Sequence, residues 1–489
     1  MAAHEGERRE SEKANHRTEE DGSSNLGSEI SRDVEQGDAL PPNEEKITPR
    51  ASLELTRTVS TALSRVTTRM TNRHIVDPGP PPGTELTICK DGGVKAWTQV
   101  AMGWIVIVTT WGYLNSFGVF QTYYTSELAI DQSTVSWIGS IQLWLIFIIS
   151  TFSGRALDAG LFIPTFILGS FFQVLGIFMN SLCKEFWQIL LAQGLCTGIG
   201  SGILFTPSLG LITTYFSKKR GLAVAIVTTG NSLGGAIYPV IVRQLLPKIG
   251  FAWTVRVIGF MNLACLCIGL AFMRPRLPPR KTGPLVEWRA FTEVPYALAV
   301  VGMTLVFGGL FFVYYYITSY AFDILGMSYA SSANILILFN AIGIPARLFT
   351  GIIADRLTGP LNAIILLIAI NALCAFTWLA VRSVAGMYVE TAIYGIAAGA
   401  FQCLFPTTIT SLHDDVSKNG IRMGMAFSVF SFAGLLGPPV GGQLLETNGG
   451  GRGGYVSALV GVGVATAVGT GLLCVARVKK VGWGLGTKC

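Results

Sequence analysis

Arg347 is the residue whose type and setting most directly offer chemistry. It lies in an apolar run, residues 332–354, eight positions before Asp355. At about 1.5 Å per helical residue the run can cross ~30 Å of hydrocarbon, which puts Arg347 roughly 12 Å inside one end. A guanidinium at that depth costs about 2.5–3.5 kcal/mol on insertion scales, so it faces a cavity or a partner. It presents a planar fork of donors that suits a carboxylate or another anionic group, and it cannot itself release a proton. The plainer reading is an arginine that snorkels to the interface or braces a neighbouring helix. Gly343 and Pro345 loosen the same run, and Asn340 adds a neutral amide two turns above. Glu390 is the only carboxylate well inside a run: either a proton-coupling group or an acid at the outer interface.

A second pattern repeats. Gly351 is followed four positions on by Asp355 and then Arg356, and Gly154 is followed in the same way by Asp158, 197 positions earlier. Gly194 and Gly198 with Pro207 recur as Gly395 and Gly399 with Pro406. Asp158 and Asp355 suit the ends of neighbouring helices, held through backbone N–H groups and basic side chains. Such contacts either break when the parts move or act as static caps.

The elements that position these residues are membrane spans. Of 489 residues 50% are hydrophobic and only 13% charged, with mean hydropathy +0.51. Soluble domains carry about 25% charged residues, so this composition places the chain in a lipid bilayer. The net charge of +7 sits in loops between apolar runs and is no nucleic-acid signal. Nine cysteines scattered mostly inside the runs argue against a disulfide framework. Four histidines, three of them in the polar N-terminal region, leave no metal site. No nucleophile–base set is present, so the expectation is a non-enzyme without cofactor. From Gln99 onward twelve apolar runs of spanning length follow one another.

The long loop between runs six and seven divides them. The expected layout is an N-terminal region 1–94, a six-helix half 95–273, a linker 274–294, a second half 295–477 and a tail 478–489. Residues 1–50 carry 13 acidic against 7 basic residues and read as a disordered tail. Leu55, Val59, Leu63, Val66 and Met70 then share a helical face, with Arg57, Arg65 and Arg69 around it. That is either an in-plane helix on an anionic leaflet or an unstructured stretch with phosphorylatable Ser and Thr. No signal peptide precedes the first run, which would act as its own anchor. With the N-terminus inside, cytosolic segments hold sixteen Lys and Arg against five outside, so both termini are expected in the cytosol.

Twelve spans in two repeated halves, with Gly351, Asp355 and Arg356 as they stand, resemble the major facilitator superfamily over roughly residues 91–480. Two stretches narrow the resemblance to the monocarboxylate porters, especially fungal ones: Asp91, Gly92 and Gly93 through Trp97 before run one, and Tyr215 through Ala223 between runs four and five. In the latter, Lys218, Lys219 and Arg220 are expected to cap the end of helix four, where cations complement the dipole. Gly230, Gly234 and Gly235 make run five a close-packing helix. Transporters of lactate-like acids in this family carry a lysine where this chain aligns Asn115 and an aspartate where it has Gly343. Of the three charges of proton-linked transport, only Arg347 remains. The superfamily's helix-four arginine is replaced by Leu190 ahead of Gln193 and Gly194. Gly437, Pro438, Gly441 and Gly442 fall in run eleven, where they make a kinked helix without marking an antiporter.

The resemblance implies an all-α membrane protein of twelve helices in two pseudo-symmetric halves, with a cavity lined by helices one, four, seven and ten. Cavity candidates are then Asn115 and Gln121, Phe205 and Thr206, Tyr314, Tyr315 and Tyr316, and Gln402 and Phe405. Arg347 and Asn340 join them as substrate-binding residues, Tyr315 being taken from its triplet. Three consecutive tyrosines cannot all face one cavity, and some are expected in an interfacial aromatic belt. Asp158, Asp355, Arg356, Lys219 and Arg220 are the gating candidates. The implied function is alternating-access transport at the plasma membrane of a small organic solute, anionic or carboxylate-bearing, or a secondary metabolite. Protons are the candidate coupling ion. The rival class is a non-transporting sensor built on a transporter body.

Overall fold

The computed structural model describes residues 92–128, 130–216, 219–276, 286–413, 419–447 and 451–483. The amphipathic stretch 52–71 and the first fifty residues lie outside them. Every regular element among the described residues is helical. In hydrocarbon no water can satisfy a bare N–H or C=O, so each apolar run must close its own hydrogen bonds as a helix.

The spanning helices are α1 Val94–Leu128, α2 Gln132–Asp158, α3 Phe162–Asn180 and α4 Phe186–Thr213. A 53-residue stretch, Arg220–Phe272, follows. After it come α7 Val294–Asp323, α8 Tyr329–Ile353, α9 Pro360–Thr377, α10 Val384–Ser411, α11 Asn419–Thr447 and α12 Gly451–Val481. Among the described residues eleven stretches are long and apolar enough to cross a membrane. The 53-residue stretch is too long for one crossing, and it breaks at Gly250, whose φ of 73° and ψ of 173° suit glycine alone. It is therefore two helices, α5 (220–249) and α6 (251–272), which makes twelve helices of spanning length among the described residues. Side-chain oxygens cap several starts: Asp131 accepts from the Thr134 N–H, Ser328 from Ser331 and Ser383 from Gly386.

Glycines set the closest crossings. A Cβ on Gly234 of α5 would lie 2.6 Å from the Cα of Gly112 on α1. One on Gly437 of α11 would lie 2.7 Å from the Cα of Gly308 on α7. The first and fifth helices of the chain thus cross on paired glycines as the seventh and eleventh do. Gly399 of α10 meets Gly343 of α8 equally closely, at 2.7 Å. Small residues at these points let backbones approach where lipid supplies no hydrophobic drive for association. Large apolar side chains such as Phe171, Leu191, Phe260, Leu366 and Val389 are exposed, as suits a lipid-facing surface.

The two stretches that carried the family resemblance touch. Trp97 packs edge-on against Phe216 with ring centroids 5.3 Å apart, and the Tyr215 hydroxyl donates to the Arg274 carbonyl at 2.7 Å. One expectation needs correcting here. α4 ends at Thr213, six residues before Lys219, which is the N-cap position of α5. Lys219 and Arg220 therefore stand at the start of a helix, where the dipole disfavours cations. The turn at Tyr215 and Phe216 separates them from the α4 carboxyl end.

Candidate functional site

Five helices converge on Arg347. Pro345 breaks the backbone ladder of α8 two residues earlier, and Gly343 lets α10 come close, so the guanidinium is aimed inward and is wholly buried. Its Nε donates to Ser232 Oγ at 3.0 Å and Nη1 to the Thr228 carbonyl at 3.3 Å, both on α5. Nη2 donates to Gln402 Oε1 on α10 at 3.1 Å. The same Gln402 oxygen accepts from Asn231 Nδ2 at 2.7 Å, and Gln402 Nε2 donates to Tyr314 Oη of α7 at 2.8 Å. Asn231 Oδ1 accepts in turn from Asn115 Nδ2 of α1, which follows the widened turn Val108–Gly112. The chain of donors and acceptors is consistent throughout: flipping the Gln402 amide would point an NH2 at the guanidinium.

Among the described residues no carboxylate pairs with Arg347, whose nearest titratable neighbours are Tyr314 and Cys403. A buried cation whose partners are all neutral dipoles is under-compensated, and an anion entering beside it is strongly attracted. Arg347 also braces α5 against α8 and α10; the two readings share one geometry.

The other candidates divide. Asn115 and Gln402 join the network. Asn340 donates to the Leu336 carbonyl of its own helix and packs its amide oxygen on Gly235, so it sits beside the network without bonding to it. Of the three tyrosines Tyr314 bonds to the network. Tyr315 packs on Phe117, centroids 4.7 Å apart, and Tyr316 donates to the Gln132 and Pro438 carbonyls. All three are buried, so none belongs to an interfacial belt. Phe205 and Phe405 lie in one aromatic cluster: Phe205 meets Trp111 at 5.0 Å, Trp111 meets Phe147 at 5.1 Å, and Phe307 bridges Phe147 to Phe405. This cluster spans helices of both repeats.

Glu390 is 8% exposed and turned away from Arg347: Thr377 of α9 donates to both its oxygens, at 3.2 and 3.0 Å. Of the gating candidates, Asp158 closes α2, Asp355 and Arg356 lie in the turn Ala354–Thr358, and Arg220 opens α5. Their side chains are outside the described residues, and Lys219 is exposed.

Asn231, Ser232 and Thr228 were not among the sequence candidates. Their signal was legible: an Asn-Ser pair between Gly230 and Gly234, inside an apolar run. The family's cavity-lining helices drew attention to one, four, seven and ten, whereas two of Arg347's partners, Ser232 and Thr228, come from the fifth. A second charged cluster also escaped notice. Arg422 of α11, 3% exposed, reaches Glu293 Oε1 at 2.6 Å and Glu287 Oε2 at 3.1 Å, and lies 5.7 Å over the Tyr296 ring. Hydrogen bonding from Arg422 holds the Glu293 carboxyl below its ordinary value.

At the Leu128 end of α1 the two repeats are knit together. Thr122 and Ser319 hydroxyls are 3.1 Å apart, Gln132 Nε2 donates to Asp323 Oδ2 at 2.6 Å, and Tyr329 donates to the Val119 carbonyl at 3.0 Å. Toward the other end Thr151 of α2 bonds to Ser428 and to the Gly424 carbonyl of α11.

Comparison with known proteins agrees with this geometry. Residues 102–438 match the sequence family described as the Major Facilitator Superfamily. An MFS-type transporter of Gibberella zeae is 40% identical over 407 residues, 83% of this chain and 90% of that protein. MFS-type transporter 1 of an Ophiocordyceps species is 38% identical over 396 residues, 79% of this chain and 86% of its own. The aspyridones efflux protein of Emericella nidulans is 32% identical over 378 residues, 76% of each chain.

Proposed function

The chain belongs to the Major Facilitator Superfamily, and from that premise we propose that it is a secondary transporter for a small organic solute bearing a carboxylate or another anionic group on an apolar body. The observation that carries this reading is the Arg347 guanidinium, fully buried and bonded to neutral acceptors alone. A solute anion would take Arg347 and the Asn231 amide, with Asn115 behind them. Its apolar body would rest on the aromatic cluster of Phe205, Trp111, Phe307 and Phe405. The contact of Trp97 with Phe216 supports placing the chain near the monocarboxylate porters. The name of the Emericella nidulans relative, an efflux protein, supports outward transport of a secondary metabolite, and the excess of Lys and Arg in the segments read as internal supports both termini in the cytosol of a plasma-membrane protein. Rocking of 95–273 against 295–477 would then break the Thr122–Ser319 and Gln132–Asp323 ties at one end, with Asp158 and Asp355 acting at the other.

The test is flux of a carboxylate and secondary-metabolite panel through purified protein in proteoliposomes, with and without a pH gradient. Flux of an anionic panel member that Arg347→Ala abolishes is the expected result. Flux confined to uncharged members, or unchanged in Arg347→Ala, would refute the anionic-solute reading.

A further inference from the structure

The amide oxygen of Gln402 has no spare lone pair. That single oxygen accepts from Arg347 of α8 and from Asn231 of α5, and the amide nitrogen is anchored on Tyr314 of α7. Those two donors are the ones a solute anion would need. The groups facing this oxygen are Arg347 and Asn231, with Tyr314 on the amide's other side and Cys403 near the guanidinium. Ser232 and Thr228 face that guanidinium from α5, and Asn115 lies behind Asn231. None is a carboxylate, and Glu390 is engaged with Thr377.

We propose that Gln402 is a positioning residue that stands in for the solute anion in the empty transporter, so that the carrier returns empty without a proton. This rests on the anion-site reading above. A carboxylate brings a full opposite charge and can take two guanidinium N–H groups at once where the Gln402 oxygen takes one, so an entering anion displaces it. Displacement frees the Gln402 oxygen from both α5 and α8, which loosens one tie between the repeats at the moment of binding. When the solute leaves, the oxygen swings back, and neither Arg347 nor Asn231 is left buried without an acceptor. A carboxylate in this place would instead hold Arg347 as an ion pair, and the solute would need a proton to release it.

The experiment uses the full-length protein in proteoliposomes with labelled salicylate, cinnamate and octanoate, corrected with protein-free vesicles. Exchange, with probe on both sides, is compared with net flux, with probe on one side, at neutral and acidic pH without a gradient. Wild type is expected to run both modes alike at either pH. Gln402→Leu keeps exchange and loses net flux about tenfold, because the empty carrier strands a buried donor. Gln402→Glu is suppressed in both modes at neutral pH and recovers on acidification toward the glutamate range, a response that a merely structural glutamine would not produce. Melting curves run beside the flux assays; should Gln402→Leu fail to fold, the pH profile of Gln402→Glu decides alone. Equal loss of both modes in folded Gln402→Leu, no acid recovery in Gln402→Glu, or wild-type flux that requires a pH gradient would each overturn the inference. If wild type moves none of the three probes, or Arg347→Ala moves them equally well, it is the anion-site reading that fails, and the inference falls with it.

Discussion

Replacing Arg347 with alanine removes three hydrogen bonds yet leaves no donor stranded. Ser232 can rotate, the Thr228 carbonyl belongs to α5, and Gln402 keeps its bond from Asn231. A buried charge is also relieved, so the empty variant should melt near wild type. Its anion binding should collapse. Two charge-assisted bonds to the solute are worth about 1.5–3 kcal/mol each, and the bond from Arg347 to the Gln402 oxygen that wild type gives up, at the low end of that range, offsets about 1.5 kcal/mol. The net loss is about 1.5–4.5 kcal/mol, or roughly 10- to 2,000-fold in Kd. The assay is a melting shift of purified protein with cinnamate. At 100 times its Kd the anion stabilises wild type by about 2.7 kcal/mol, whereas a variant bound 100-fold more weakly gains about 0.4 kcal/mol. Arg347→Lys retains the charge without the fork and should lie between the two, about tenfold weaker than wild type. The refuting result is an equal shift in Arg347→Ala, above all with a lowered melting temperature of the empty variant, since that combination describes a brace between helices.

Three further predictions follow from other parts of the fold. Gly399→Val should lower the melting temperature and weaken anion binding together, costing about 1–3 kcal/mol, because its Cβ meets the Gly343 backbone, which cannot yield; normal binding in a folded variant would contradict the crossing. Arg422→Leu should cost about 1–2 kcal/mol by removing the clasp on Glu287 and Glu293, after discounting the half-exposed Glu293 for solvent screening. Because Arg422 depresses the Glu293 carboxyl, that stability is present above the ordinary glutamate value and lost as pH falls through the depressed one. An acid melting series should show the loss in wild type and not in Arg422→Leu. Finally, Arg289→Cys should resist impermeant maleimide added outside intact cells; ready labelling would invert the proposed orientation.

Class, number of spanning-length helices and repeat were legible in the sequence because hydrocarbon is a demanding solvent. It forces each crossing to be a long apolar helix, so composition and run length suffice, and even Arg347 stood out as a charge where none is tolerated cheaply. The glycines of run five pointed correctly to close helix approaches. Residues 220–272 read as two apolar runs from the sequence, and the backbone turn at Gly250 marks where they divide.

What tertiary structure decided is which way each polar side chain turns. In water the buried face of a helix is its apolar face, so period reveals direction. In a membrane protein both the lipid face and the packed face are apolar, and the period carries little of that information. Nothing in the triplet Tyr314, Tyr315 and Tyr316 distinguishes the residue that bonds Gln402 from its neighbours; the crossing of α7 over α11 at Gly308 and Gly437 does. Glu390 is as plausible a cavity acid as any from its position, until α9 brings Thr377 against it. Ser232 becomes a partner of Arg347, and Asn231 of Gln402, because α5 can slide in on its glycines, bringing together residues more than a hundred positions apart.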